Sequence, residues 1–232
     1  MNDQTIQREA SAIVATLPAR IHEIIEPFVA SHPDAPALAC GDVQWTYGEL
    51  ARRLADTAHA LAAQGVRAGD RVLVVSENGL SLAALVLACS RIDAWTVIVN
   101  PRLAARELDQ IRDHCGARRV CFAVKGGPEA GEHARRYGAV AMTLGPLEDL
   151  AVAPLNDSAQ PEPTHASGAS QVAALLYTSG TDLLDYAAPL LTAYKRPTEI
   201  VLLAALPASS TGKILKHQLV GAARQAQAGP TT

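Results

Sequence analysis

The chain has 232 residues, enough for one large domain or two smaller ones, and 49% of them are hydrophobic, enough for a sizeable core. Aromatic residues make up only 4%, so Ala, Leu and Val must build that core. A formal net charge of −3, with acids and bases interspersed, gives no nucleic-acid or anionic-membrane footprint. The longest apolar run, Leu82 to Cys89, is too short to span a bilayer. Met1-Asn2-Asp3-Gln4-Thr5 lacks the charged-then-apolar pattern of a secretory signal, so a soluble cytoplasmic protein is expected. Cys40, Cys89, Cys115 and Cys121 are scattered, with no CxxC pair to match metal-ligand spacing. They read as buried thiols of a reducing compartment.

Residues 1–19 are a mixed polar and Ala-rich lead. Ile21, Ile24, Ile25 and Phe28 recur at helical spacing and predict an amphipathic helix over 20–31, with Pro27 a weak point in its second half. Apolar runs at 37–40 and 43–45 flank Gly41-Asp42, the pattern of a hairpin. Thr46 and Glu49 have capping-box spacing and open a helix with Leu50, Leu54, Ala58 and Leu61 on one face, ended by Gly65. Strands at 71–75, 95–99, 119–123 and 139–144 then alternate with helices at 81–92, 104–114 and 128–137. Near-continuous apolar strands separated by helices predict a parallel sheet covered on both faces. Residues 145–170, with Pro146, Pro154, Pro161, Pro163 and Gly168 among polar residues, read as a linker-like connection. A strand over 171–177 delivers Thr178 at its end. Further on come a helix at 182–192, a strand at 199–204, a loop, and a closing helix from Lys213 to about Gln225. These form a small α+β unit, too short for stability without packing on something.

Thr178, Ser179, Gly180 and Thr181 form a small-hydroxyl loop suited to phosphate, because glycine admits close backbone approach while hydroxyl and N–H groups donate. Tyr177 to Thr181 resembles the opening of the signature loop of the AMP-forming acyl-CoA synthetases, the adenylate-forming family. In that family the loop continues Thr-Gly-x-Pro-Lys-Gly. Here Asp182 takes the place of the second Thr, and the Gly, Pro, Lys and Gly are absent. Trp45-Thr46-Tyr47-Gly48-Glu49-Leu50 resembles the entrance to the family's large domain. Ala193-Tyr194-Lys195-Arg196-Pro197, the run Ile200 to Leu203, and Leu206-Pro207 followed by Gly212-Lys213-Ile214-Leu215-Lys216 resemble its C-terminal domain. The resemblance therefore implies an α/β protein, internally deleted. A partial large domain at 20–181, mostly parallel sheet with helices on both faces, joins a small α+β remnant at 182–228.

The resemblance implies ATP, Mg²⁺ and CoA as cofactors, and a carboxylic acid, in the setting of fatty acid metabolism, as substrate. It makes Lys213 the descendant of the catalytic lysine, which stabilises charge as a carboxylate attacks the α-phosphate, a task suited to a flexible cationic stem. Thr178, Ser179, Gly180 and Thr181 become a partial ATP phosphate loop. No metal ligand is recognisable. Pro207 and Ile214 stand where a Walker-A loop needs Gly and Ser or Thr, which rules out that motif. The family's adenine pocket, ribose-binding Asp, Mg²⁺-holding Glu and acyl pocket come from the missing middle. Two functions follow as alternatives: a ligase-like protein that is weak or inactive, or a non-catalytic remnant serving as an interaction module. Uncovered sheet faces and edges left by the missing middle predict self-association.

Overall fold

The computed structural model describes residues 16–168 and 170–177. The chain divides into two compact units, Met1–Tyr177 and Thr178–Thr232, and the described residues all belong to the first. Thr178–Thr181, Lys213 and the elements expected beyond 181 lie outside the described residues.

The helix expected over 20–31 is two pieces, a 3₁₀ turn at Ile21–Ile25 and α1 at Glu26–Ser31. Pro27 explains the division. It has no N–H to give the Glu23 carbonyl, which Glu26 N–H takes instead, and it falls in the first turn of α1 where a missing donor costs little. β1 (Pro36–Cys40) and β2 (Val43–Thr46) form the expected hairpin, with Gly41 at φ +57° in its turn. Thr46 then caps α2 (Tyr47–Ala63): its hydroxyl accepts from Glu49 N–H at 3.2 Å while the Glu49 carboxylate accepts from Thr46 N–H at 2.9 Å.

The main sheet has six strands. β3 (Arg71–Val75) is followed by α3 (Leu80–Arg91), β4 (Trp95–Val99), α4 (Ala105–Cys115), β5 (Arg119–Ala123) and α5 (Pro128–Arg136). Then come β6 (Val140–Leu144), β7 (Leu147–Val152) and β8 (Ala174–Leu176), and the strand order is β6-β7-β5-β3-β4-β8. β5, β3, β4 and β8 are parallel, while β7 runs antiparallel to β5 and β6 antiparallel to β7. All five residues of β3 are buried. Val72 and Val74 pack with Leu50, Leu54, Leu61, Leu85 and Cys89 of α2 and α3. Leu73 and Val75 pack with Leu108 of α4 and Ala134 of α5 on the opposite face. This double coverage is why the strand reads as unbroken apolar sequence.

Two expectations need correction. Residues 147–152 of the supposed linker are strand β7, with Leu147, Leu150, Ala151 and Val152 buried. Gly145, at φ +60°, and Pro146 are the turn of a β6–β7 hairpin, not the start of a connection. The strand expected at 171–177 spans only three residues, at one edge of the described sheet.

Residues 153–165 cross the amino-terminal edge of the sheet, and arginines hold them there through main-chain carbonyls. Arg119 donates to Ala153 at 2.9 Å, Arg118 to Asn156 at 2.7 Å and Arg67 to Ala159 at 2.9 Å. Arg71 donates to Gln160 at 2.7 Å, and Arg20 to His165 at 2.7 Å. Gly69, at φ +79°, lets this strap lie close, since a Cβ there would meet the Glu162 carbonyl oxygen at 1.9 Å.

Arg71 is buried and also serves the carbonyls of Cys115, Gly69 and Gly116. Arg71→Met strands these buried acceptors and is expected to cost about 3 kcal/mol of unfolding free energy in urea titration. Arg112→Met removes partly exposed ion pairs to Asp109 and Asp113 and a guanidinium contact on the Tyr137 ring, and should cost less than about 1 kcal/mol. Equal losses would refute the structural weight given to the strap.

Candidate functional site at the carboxyl edge of the sheet

β3, β4, β5 and β8 end at the same edge. The loop after β3 leads to α3 on one face of the sheet, whereas those after β4 and β5 lead to α4 and α5 on the other. Such a reversal parts neighbouring loops and opens a crevice beyond the strand ends, the usual ligand position in open α/β sheets.

Ser76 begins the β3 loop. Its N–H donates to the Val99 carbonyl at 3.2 Å, fastening the ends of β3 and β4 together, and its hydroxyl donates to the Glu77 carbonyl at 2.6 Å. The Glu77 carboxylate pairs with Arg102 at 2.7 Å, a second tie between the two loops. Asn100 Oδ1 accepts from Arg102 N–H at 2.9 Å, the local side-chain-to-backbone turn that an asparagine favours. Beside this lies a cleft of about 430 Å³. Trp45 and Leu80 contribute apolar surface, and Ser76, Asn78, Lys125 and Asp149 contribute polar groups. Ser81 donates to Asp149 at 2.8 Å and so ties α3 to β7 across the cleft wall. Lys125 stands exposed, without an ion pair among the described residues. The edge thus offers cationic and anionic groups side by side, over an apolar floor.

Sequence reasoning missed this set. A buried strand emptying into Ser76-Glu77-Asn78-Gly79 was the available signal, but the partner loops at 100–102 and 125–126 join it only through the crossovers. The residues it did select, Thr178, Ser179, Gly180, Thr181 and Lys213, lie outside the described residues. Tyr177, immediately before Thr178, is described. It follows β8, whose Leu176 is in register with Ile98 of β4. Its hydroxyl lies 2.7 Å from His114 Nδ1 at the end of α4.

Among the described residues no three His, Cys, Asp or Glu side chains converge to hold a metal ion, and no helix is long and apolar enough to cross a membrane. The four cysteines are unpaired. Cys40 is exposed and lines the cleft. Cys89 and Cys121 are buried, and loss of hydration pushes each thiol up to about 12. Burial also raises Cys115.

Fold and edge together define a doubly covered α/β sheet with a ligand crevice at its carboxyl end. The chain belongs to the AMP-binding enzyme family, whose description matches residues 25–182. A feruloyl-CoA synthase of Amycolatopsis is 34% identical over 150 residues, covering 64% of this chain and 28% of that protein. The fatty acid–[acyl-carrier-protein] ligase MmaC of Mycobacterium marinum is 32% identical over 179 residues, covering 72% of this chain and 32% of that one. The chain therefore matches a third or less of the length of these relatives. Among solved structures, the inhibitor-bound N-terminal domain of FACL13 from Mycobacterium tuberculosis aligns with 54% of this chain and 31% of its own, at a TM-score of 0.46 and 25% identity.

Thiol labelling tests the packing behind the cleft. At pH 8 a thiol titrating near 12 is thiolate in on the order of one molecule in ten thousand. Cys40 is expected to react promptly with a maleimide, and Cys89 and Cys121 only after denaturant is added. Mass-mapped labelling of Cys121 as fast as Cys40 would show that the sheet interior is open.

Proposed function

We propose that the chain is an acyl-CoA-synthetase-like protein, of the AMP-forming carboxylic acid–CoA ligase type, that lacks the family's central part and has weak or no ligase activity. One observation carries this reading. The family match runs to residue 182, and there, after Thr181, the phosphate loop departs from the family wording, with Asp182 in place of Thr and no following lysine. The parallel strands of the described body support a phosphate role for the loop, because β8 ends at Leu176, two residues before Thr178, at the carboxyl edge of the sheet. Thr178, Ser179 and Thr181 would donate to phosphate oxygens through hydroxyl and N–H groups, and Lys213 would bring a mobile positive charge. ATP, when bound, supplies the activating phosphoanhydride, and Mg²⁺ and CoA are implied by the family alone. Half a loop and one lysine fall short of the electrostatic positioning that phosphate chemistry needs. Four unpaired cysteines agree with a cytoplasmic setting.

A second reading, an interaction module, is favoured by one feature. Leu176, on an edge strand of the described sheet, is 74% exposed, and an apolar residue at a strand edge invites pairing with another chain.

Purified protein is expected to give no carboxylate-dependent ATP–pyrophosphate exchange above background with short, medium, long or aromatic acids. Robust exchange abolished by Lys213→Ala would establish a working ligase instead. For the second reading, light scattering coupled to size exclusion should show mass rising with concentration. A single monomeric species across a wide concentration range would remove that reading.

A further inference from the structure

We propose that the groove between α1 and the α2–α3 pair is a binding site for a single-chain amphiphile with a carboxylate head. Its volume is about 430 Å³, within the range of small-ligand pockets. It shares no lining residue with the cleft at the carboxyl edge of the sheet. Ile25, at the end of the 3₁₀ turn, and Leu54 of α2 form its floor, and Val29 of α1 flanks them. Ile25 and Leu54 are buried members of the core cluster on this face of the sheet, so packing that the fold itself requires holds the floor in place. An apolar chain laid on that floor leaves water without the floor having to be rebuilt.

The rim supplies a partner for the head. Arg52 of α2 and Arg91, the last residue of α3, both line the groove, and both are exposed. Among the described residues neither makes an ion pair. Local structure explains why they are left over. The Glu49 carboxylate, one turn before Arg52, accepts from Thr46 N–H in the cap of α2. Arg91 stands at the carboxyl end of α3, where the helix dipole favours a cation without an acidic side chain beside it. Glu26 is the one acid on the lining, so the two arginines leave the groove with one positive charge in excess. His22 also lines it but adds no charge. Its Nδ1 lies 3.0 Å from Ser90 Oγ, and burial holds the imidazole below its ordinary range, so the ring is neutral in mildly alkaline buffer. An apolar floor under guanidinium forks selects an apolar chain with a planar anionic head, which a fork can hold by two parallel bonds.

This inference does not depend on the phosphate loop, and no nucleotide is present in its test. Binding of monomeric decanoate to the full chain is measured by calorimetry in mildly alkaline buffer, against octanoate, decanol and decyltrimethylammonium. Decanoate should bind more tightly than octanoate by about two- to fourfold per methylene, the worth of burying each on an apolar floor. It should also bind more tightly than decanol or the cationic amphiphile. Arg52→Gln and Arg91→Gln should each weaken decanoate by about two- to fivefold, the worth of an exposed ion pair. Arg106→Gln, which removes the same charge from α4 on the opposite face of the sheet, should leave it unchanged. Ala55→Phe fills the groove and should abolish binding, with an unshifted melt showing that the variant is folded. The two arginine variants decide the matter where Ala55→Phe does not fold. Absence of decanoate binding overturns the proposal. So does equal affinity for decanol, or an equal loss in Arg106→Gln. Attachment to anionic vesicles without binding of monomeric decanoate overturns it as well, because the partner would then be a bilayer surface.

Discussion

Arginine-to-carbonyl bonding along residues 153–165 is the constraint on which the described architecture depends. The chain leaves β7 at the amino-terminal edge beside β5 and must reach β8 beyond β4. It does so by crossing that edge in irregular conformation, which leaves main-chain groups without a ladder. Guanidinium groups resolve this because each presents several donors in a rigid fork. The cost of gathering the cations there is offset by Asp70, a fully buried carboxylate held by Arg67 at 3.0 Å and approached by Arg118 at 3.7 Å. Routing the connection past the amino edge keeps the carboxyl edge clear, so the loops after β3, β4 and β5 remain free to form a site.

The carboxyl edge is organised by the opposite kind of interaction, a few short-range ties between loops. Glu77 with Arg102, and Ser76 with Val99, lock the β3 and β4 ends. Among the described residues, Lys125 at the rim of the cleft makes no ion pair. The described body lies almost wholly within the stretch, residues 25–182, by which the chain belongs to the AMP-binding enzyme family.

Much of this body was legible from the sequence because local and long-range demands coincide in it. Strands at 71–75, 95–99 and 119–123 stand where unbroken apolar runs predict them, and the Thr46–Glu49 capping box forms as written. β7 escaped notice because Gly145-Pro146 and the acids Glu148 and Asp149 lend it the composition of a loop, although Leu147 and Leu150 are buried. The arginine strap was illegible for a different reason. An arginine's partners here are carbonyls of any residue type, so nothing in the wording of 153–165 names Arg71 or Arg118. Of the site, the sequence singled out Thr178–Thr181 and Lys213, which lie outside the described residues, and it passed over Glu77, Arg102 and Lys125, which only the crossovers bring together.

The strap also sets an order of assembly. β3, β4 and β5 can pair through short helical crossovers, closing loops of modest length. β8 joins β4 across a gap from Thr96 to Ala174, and that closure is costly in chain entropy until the intervening segment is laid down. Each arginine contact shortens the effective loop for the next, like stitches taken in sequence along a hem. Among the described strands, β8, the one that presents Tyr177, is then the last to dock, after β3, β4 and β5 have paired.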